Sequence, residues 1–153
     1  MFEIYQISST RIDDAAHLFN QYRIFYKMPS HLSSAKEFIS ERLHKKESII
    51  FLAYRKVQPV GFIQIYPSFS SIAMQQTWIL NDLFVDSKAR RLGCAKEMMT
   101  HIHIKAKEKN VFSIKLATAT DNHTAKKLYQ KFAYQQINNF ENYSKAINKK
   151  TNI

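Results

Sequence analysis

Cysteine is nearly absent from this sequence, since Cys94 stands alone among 153 residues. A single cysteine excludes an internal disulfide bond and any zinc site built from several cysteines, and we expect no bound metal. Long apolar runs are also absent, because none approaches the ~18 residues that a membrane span needs. The N-terminus lacks the basic start and the long apolar run of a signal peptide. These absences predict a cytoplasmic protein without a membrane partner.

Acidic residues and glycines are scarce as well. There are 12 Asp and Glu against 23 Lys and Arg, so the formal net charge is +11. A basic surface raises encounter rates with polyanions, which leaves an acidic cofactor and a nucleic acid both open. The only glycines are Gly61 and Gly93, so the position of each is informative. The positive residues are spread along the chain, and their densest local cluster comprises Lys88, Arg90, Arg91 and Lys96.

The length of the chain favours one domain with a substantial core. An apolar content of 45% and a charged content of 23% are typical of a soluble globular protein. No repeat, low-complexity tract or linker interrupts the sequence. We therefore predict a single domain over residues 1–147, followed by a basic tail over residues 148–153.

The spacing of apolar residues predicts the order of the secondary-structure elements. This order is a strand, two helices, three strands, a helix, a strand, a helix and two closing strands. The closing strands are expected at residues 134–137 and 140–146, and residues 67–71 are expected to form a loop. The order predicts a fold that combines helices with a sheet of several strands.

The first two helices carry recognisable signals of their own. The first is expected to bury an apolar face that extends as far as Phe25 and Tyr26. The second is expected to begin at Ser34, because Glu37 follows three residues later as in a capping box.

The stretch from Trp78 to Lys109 carries the strongest functional signal. An apolar strand is followed by a polar turn, by two arginines and by Gly93. A helix then begins, because apolar residues recur at intervals of three and four. The N-terminus of a helix offers unpaired backbone N–H groups and a partial positive charge, and together these bind an anion. Glycine lets a ligand approach the backbone, and arginines add bonds to phosphate. The stretch therefore predicts a phosphate-binding loop.

Three segments of the chain show which class of loop this is. It is not a Walker loop, because no GKS or GKT follows, and two of the three glycines of a dinucleotide-binding fingerprint are missing. The pattern R-x-x-G-x-A, at Arg90, Gly93 and Ala95, resembles the pyrophosphate-binding loop of the GNAT superfamily of N-acetyltransferases, Q/R-x-x-G-x-G/A. The preceding LNDLFV looks like the central strand of that family. The segment from Asn122 to Tyr134 resembles the family's N-x-x-A-x-x-L-Y-x-K-x-G-F helix. The three resemblances lie in register along the chain.

The resemblance implies both a fold and an activity. The fold is α/β (α+β), a GNAT fold with a mixed, mostly antiparallel sheet of six to seven strands flanked by about four helices. The activity is that of an acetyl-CoA-dependent N-acetyltransferase, which moves an acetyl group to a primary amine of a small molecule, peptide or protein by direct transfer in a ternary complex. The family also makes a homodimer possible.

Two alternatives to an enzyme are open. One is a non-catalytic module on the same fold that binds acyl-CoA and regulates another process. The other is a basic nucleic-acid-binding domain, whose affinity would fall steeply with salt. The scattered charges and the absence of a nucleic-acid-binding motif argue against this second alternative, so no nucleic acid partner is expected.

The resemblance also assigns residues to the coenzyme. The backbone groups of Leu83, Phe84 and Val85 would pair with the pantetheine arm as an added strand would. Asn122 would either hydrogen-bond the coenzyme or cap its own helix. For Cys94, packing of a small residue is favoured over a nucleophilic role, because no base partner is evident. The loop residues that would hold the pyrophosphate are Arg90, Arg91, Leu92, Gly93, Cys94, Ala95 and Lys96.

Catalysis is assigned to two residues. The resemblance implies that Tyr129 protonates the departing thiolate, and a phenol with a pKa near ~10 is suited to that task. Asp82 is the candidate base that accepts the proton of the incoming ammonium, or else a buried structural residue. His123 and Glu141 are weaker candidates for the base.

The resemblance implies that the acceptor amine binds between the first two helices and the loop before the central strand. Tyr22 and Tyr26 would line this site together with Asn81, which strand alternation puts on the face opposite Asp82. Arg23 would hold a carboxylate of the acceptor in a bidentate manner, or would be an ordinary surface arginine.

One departure from the family pattern concerns the end of the second motif helix. Ala133 stands where the family has glycine and Tyr134 stands where it has phenylalanine. An alanine at this position needs a backbone angle that a residue with a side chain can adopt. The local turn is therefore expected to differ from that of the family.

Overall fold

A computed structural model describes residues 1–148, which form five strands, four helices and one short 3-10 turn. The strands are β1 (Glu3–Gln6), β2 (Ile49–Arg55), β3 (Gln58–Ser70), β4 (Gln75–Val85) and β5 (Ser113–Leu116). The helices are α1 (Ile12–Phe25), α2 (Leu32–His44), α3 (Cys94–Glu108) and α4 (His123–Lys131), and the 3-10 turn is Ser87–Ala89. The predicted combination of helices with a mixed sheet is confirmed.

The strands form one sheet in the order β1-β2-β3-β4-β5. All neighbours are antiparallel except β4 and β5, which are parallel. Helices α1 and α2 pack on one face of the sheet, where Leu18 and Ile39 meet Leu52 and Phe62. Helix α3 packs on the other face, and Gly61 permits this close approach because a Cβ atom there would lie 2.6 Å from the sulfur of Met98.

The described residues fall into two compact units, and the second begins at Thr118. The first unit contains the whole sheet with α1, α2 and α3, and the second contains α4. The single domain over residues 1–147 therefore stays a prediction. Residues 149–153 of the predicted basic tail lie outside the described residues.

The sheet has five strands in the part of the chain that the structure describes, instead of the predicted six to seven. The predicted closing strands at residues 134–137 and 140–146 have no regular secondary structure. Three of their apolar side chains, those of Ile137, Phe140 and Tyr143, are exposed. A period of two indicates a strand only when a neighbouring strand and a buried face exist, and neither is encoded locally.

Strand β3 is longer than predicted, because it continues through the expected loop at residues 67–71 to Ser70. Pro67 is tolerated there since the pairing of β3 with β2 ends at Ile65, which leaves only β4 as a neighbour. Proline is confined to strand edges of this kind because it cannot donate a ladder hydrogen bond. The extension adds length to the β3–β4 pair, which holds the site described below.

Both of the first two helices also differ from expectation at one end. Helix α1 leaves Phe25 and Tyr26 half exposed, at 54% and 50%, so its last turn does not join the core. The aromatic residues at the end of α1 therefore face solvent.

Helix α2 begins two residues earlier than predicted, and the predicted capping box at Ser34 is wrong. His31 caps the helix instead, because its Nδ1 accepts from the Ser34 backbone N–H at 3.3 Å.

Two features are absent from residues 1–148. No helix in this range has the length and apolar character needed to cross a bilayer. Within the same residues, no cluster of three His, Cys, Asp or Glu side chains has an arrangement that would hold a metal ion.

Candidate active site

A β-bulge interrupts the pairing of β4 with β3. Gln64 pairs with Asp82, whereas the next residue, Ile65, pairs with Leu80, so Asn81 is the extra residue on β4. A bulge bends its strand and increases the local twist. It also brings two adjacent side chains together, because the Asn81 amide Nδ2 donates to Asp82 Oδ1 at 3.0 Å. Asn81 is exposed whereas Asp82 is buried, and their predicted placement on opposite faces of the strand stays a prediction.

Beyond the bulge, one edge of β4 has no neighbouring strand. The parallel pairing with β5 covers Thr77 to Leu80 and ends at the residue before the bulge. Residues 82–85 are therefore paired with β3 on one side, but within residues 1–148 no strand pairs with their other side. This edge includes Leu83, Phe84 and Val85, and it presents backbone donors and acceptors to an extended ligand.

Asp82 is the most buried carboxylate at this site, with 4% of its surface exposed. Its Oδ2 accepts from Gln64 Nε2 at 2.7 Å and its Oδ1 accepts from Asn81. The Tyr22 hydroxyl, from α1, also hydrogen-bonds toward it. The carboxylate is thus held in one orientation by groups from three elements.

The ionisation of this cluster is set mainly by burial. Burial raises the pKa of Asp82 above its usual range, while hydrogen bonds from Gln64, Tyr22 and Asn81 oppose this effect. Burial and the nearby Asp82 also raise the pKa of the Tyr22 hydroxyl, and they raise the pKa of Tyr66 to about 12. Both phenols therefore stay protonated at neutral pH. A single carboxyl group with a raised pKa is suited to accepting a proton.

An aromatic group at the end of α1 adjoins this carboxylate. The Tyr22 ring contacts Tyr26 and Phe84, with centroids 4.9 and 6.4 Å apart, and Phe25 contacts Tyr26 at 5.3 Å. Arg23 is half buried, and within residues 1–148 it forms no ion pair. The structure thus brings three predicted acceptor residues, Tyr22, Tyr26 and Asn81, to one end of the α1–β4 contact.

The loop after β4 prepares the N-terminus of α3. The side chain of Asp86 accepts from the Lys88 N–H at 2.9 Å and caps the 3-10 turn. Arg91 and Gly93 then adopt left-handed angles, with φ of 63° and 87°. Nothing lies within 4 Å of a Cβ atom placed on Gly93, so steric crowding does not explain the glycine. Its left-handed backbone angle and the open approach to the backbone favour glycine instead.

Three backbone amides at the start of α3 have no acceptor in the described part of the chain. The first amide bonded within the helix is that of Glu97, which donates to the Gly93 carbonyl at 3.0 Å. No side chain caps the helix. The N–H groups of Cys94, Ala95 and Lys96 are therefore unpaired at the positive end of the helix dipole. Such a group of donors binds phosphate oxygens.

The side chain of Arg90 contacts the end of β4 and the end of α1. Its Nε donates to the Val85 carbonyl at 3.0 Å, and its guanidinium lies over the rings of Phe25 and Phe84 at 5.6 and 5.9 Å. These contacts connect the loop with the end of α1. Leu92 and the charged side chains of Arg91 and Lys96 are exposed. The sequence pattern gave no indication that Arg90 contacts aromatic rings.

Cys94 is buried against the sheet, and its thiol faces the position of Gly61. Burial, with a smaller effect of Glu97, raises the pKa of the thiol to about 12. A thiol with this pKa is almost fully protonated at neutral pH, and the thiolate is the nucleophile. The packing role is therefore the one that the structure supports.

The second unit carries the other predicted motif. Asn122 caps α4, because its Oδ1 accepts from the Ala125 N–H at 3.1 Å. Tyr129 is half buried, and its ring centroid lies 5.9 Å from that of Tyr134. Ala133 adopts the left-handed angle of the glycine it replaces, with φ of 62°. The helix end thus keeps the turn geometry that glycine would give, at the cost of some backbone strain.

The two weaker base candidates lie in the same unit. His123 and Glu141 are both exposed. The carboxylate of Glu141 accepts from the hydroxyl of Tyr143 at 2.8 Å. Neither side chain has the burial that distinguishes Asp82.

Sequence analysis did not identify Gln64 as part of the site. The available signal was a single polar residue within the otherwise apolar run VGFIQIY. Its pairing with Asp82 depends on the register of β3 against β4, which the bulge alters. A polar residue inside a buried strand is therefore informative only once its partner across the ladder is known.

The chain is similar to known acetyltransferases. The model of the acetyltransferase (GNAT) family matches residues 13–134. The chain is 36% identical over 140 residues to the uncharacterized N-acetyltransferase YhfO of Bacillus subtilis, covering 90% of this chain and 94% of that protein. It is 23% identical to the thialysine N-epsilon-acetyltransferase of Caenorhabditis elegans, covering 93% and 88%. The crystal structure of a probable acetyltransferase superposes with a TM-score of 0.90 at 36% identity, covering 97% and 99%.

Proposed function

The chain belongs to the acetyltransferase (GNAT) family, and from this premise we propose that it is an acetyl-CoA-dependent N-acetyltransferase acting on a primary amine. The observation that carries the proposal is the group of three unpaired amides at the start of α3, directly after the unpaired edge of β4. The edge accommodates an extended amide chain, and the helix N-terminus accommodates a pyrophosphate. Acetyl-CoA combines these two chemical features.

The coenzyme would be held mostly by backbone groups. Leu83, Phe84 and Val85 would pair with the pantetheine arm, although the Val85 carbonyl already accepts from Arg90. The amides of residues 91–96 would bind the pyrophosphate, and the exposed cations of Arg91 and Lys96 would add charge. Asn122, which caps α4, is proposed to contribute to coenzyme binding.

The acceptor would approach from the aromatic end of α1. Asp82 supplies the carboxylate that attracts an ammonium group, while Asn81, Tyr22 and Tyr26 shape its surroundings. The relative from Caenorhabditis elegans is named for acetylation of an ε-amine, which supports a primary amine as acceptor. Arg23 has no ion-pair partner in residues 1–148, which favours a role in holding an acceptor carboxylate.

The reaction would proceed by direct transfer in a ternary complex. Asp82 takes one proton from the acceptor ammonium, so that the neutral nitrogen can attack the thioester carbon. A backbone amide between Leu83 and Val85 donates to the thioester oxygen as negative charge develops there. Tyr129 donates its proton to the sulfur as the carbon–sulfur bond breaks, and it is reprotonated by the second proton that the nitrogen loses as the amide forms. Asp82 then releases the first proton to solvent. The products are the acetylated amine and the free thiol of coenzyme A.

The coenzyme site is tested by thermal unfolding with acetyl-CoA, using NADH, ATP and DNA for comparison. A ligand at ~100 times its Kd adds about 2.7 kcal/mol of stability, which for this size is roughly 5–10 °C. We expect this shift with acetyl-CoA alone. An Ala95→Asp variant should lose the shift, because its carboxylate repels the pyrophosphate, while the same charge complements the helix dipole and preserves the fold.

A matched control changes the charge elsewhere. Gln6→Glu alters the net charge by the same amount at the exposed last residue of β1, and it should keep the full shift. No shift for the wild type at millimolar acetyl-CoA would refute the proposed function. A salt-sensitive shift with DNA instead would favour the nucleic-acid-binding alternative.

A further inference from the structure

Gln64 is a fully buried polar residue that the mechanism above does not use. It lies on β3 directly across the ladder from Asp82, and none of its surface is exposed. Its Nε2 donates to Asp82 Oδ2 at 2.7 Å, whereas its Oε1 has no hydrogen-bond partner among residues 1–148. The NH₂ group of this amide therefore has a hydrogen-bond acceptor, Asp82, whereas its carbonyl oxygen has no donor among residues 1–148.

Folding alone does not account for such a residue. A buried carbonyl oxygen without a partner is destabilising. The adjacent positions on the strand, Ile63 and Ile65, are apolar and also fully buried. An apolar side chain at position 64 would avoid this cost, so the amide is better explained by what it does to Asp82.

On the premise of the proposed function, we propose that Gln64 is a positioning residue, which holds the Asp82 carboxylate ionised and in one orientation for the acceptor amine. Each oxygen of Asp82 has its own amide donor, Gln64 on Oδ2 and Asn81 on Oδ1. A donor to a carboxylate stabilises the charged form over the neutral acid. Gln64 thereby offsets part of the burial that favours protonation of Asp82.

Other polar groups near Asp82 do not replace this donor. Tyr22 faces the carboxylate from α1 and Tyr66 from β3, and both are neutral at the pH of the experiment because their pKa values are raised. The positive charge of Arg42, on α2, opposes part of the rise in the pKa of Tyr66. Loss of the Gln64 amide should therefore raise the pKa of Asp82.

Two substitutions test this role by a ranked effect on pH dependence. Gln64→Met keeps the volume and removes the donor, whereas Gln64→Glu places a second carboxyl group beside the first. The acid limb of kcat/KM should move to higher pH in the order wild type, Gln64→Met, Gln64→Glu. Activity should fall about tenfold or more on the acid side, as loss of a hydrogen bond to a charged group implies, and should recover at alkaline pH. Gln58→Met, at the exposed start of the same strand, should leave the profile unchanged.

A second measurement uses the wild-type protein and needs no turnover. In an NMR titration, the side-chain NH₂ signals of Gln64 should follow the same midpoint as the carboxyl carbon of Asp82. Failure of the proposed function would appear separately, as absence of acetyl-CoA binding in the wild type. The positioning role is refuted if the Gln64 signals do not follow Asp82, or if the variants lose activity equally at every pH.

Discussion

Replacement of Asp82 by asparagine is expected to lower kcat about 10²–10⁴-fold at neutral pH, the range that a general base contributes. The amide has nearly the same shape but cannot accept a proton from the acceptor ammonium. Acetyl-CoA binding should be unaffected, because the proposed coenzyme contacts are backbone groups of residues 83–85 and 91–96. The loss is measured as amine-dependent thiol release, with an amine that the wild type accepts.

The same substitution is expected to raise stability at neutral pH. Because the pKa of Asp82 is raised in the folded protein from its usual 3.8, ionising it costs stability as the pH rises through the folded-state pKa. Asparagine has no proton to lose. The higher melting temperature of Asp82→Asn should therefore develop as the pH rises from 3.8 to the folded-state pKa of Asp82, and it should persist above that pH. The Gln64 amide can rotate so that its Oε1 accepts from the new amide. Higher stability with lower activity is the pattern expected of a functional buried charge.

Two controls separate proton transfer from general damage. Asp13→Asn removes an exposed carboxylate that pairs with Lys36 at 2.7 Å, and it should retain full activity. A weakly basic amine, already neutral at the assay pH, should narrow the gap between the wild type and Asp82→Asn. An equal loss for strongly and weakly basic amines would mean that Asp82 does not act as the base.

Replacement of Tyr129 by phenylalanine is expected to lower kcat by a similar factor, about 10²–10⁴-fold. The phenyl ring keeps the packing of the last turn of α4, but it cannot donate a proton to the departing thiolate. The Kd for acetyl-CoA, measured by calorimetry, should change little, because the hydroxyl acts when the thioester breaks. The measurement is therefore a comparison of kcat with Kd in one variant.

The neighbouring tyrosine supplies a matched control. Tyr134 is half buried beside Tyr129, and burial raises its pKa to about 12. Tyr134→Phe removes a hydroxyl from the same unit and should keep kcat within a few-fold of the wild type. If Tyr129→Phe retains full turnover, another group protonates the sulfur. If Tyr129→Phe and Tyr134→Phe lose activity equally, the effect is structural.

The parts of the site that follow from local sequence were predictable. The transition from β4 through the loop to α3 was predicted because its apolar spacing, its glycine and its turn lie within one continuous stretch. The sequence allowed two roles for Asn122, and the hydrogen bond from the Ala125 N–H shows that it caps α4. These features depend on residues that are only a few positions apart.

The parts that depend on register were not predictable. The bulge at Asn81 sets Gln64 opposite Asp82, and no pattern within either strand reports it. The contacts of Arg90 with Phe25 and Phe84 join residues from three separate elements. Residues 134–137 and 140–146 show the opposite case. They have the alternation of a strand, but no neighbouring strand in the described part of the chain pairs with them, so they form no strand.

The most direct test of the whole account is a single reaction of the wild-type protein with acetyl-CoA and a panel of primary amines. The amines are amino acids, diamines and lysine-containing peptides, and the readouts are thiol release and the mass of the amine. We expect at least one amine to gain one acetyl group for each thiol released, with no acetyl group left on the protein. Binding of acetyl-CoA without transfer to any amine would contradict catalysis and identify the chain as a regulatory acyl-CoA-binding module.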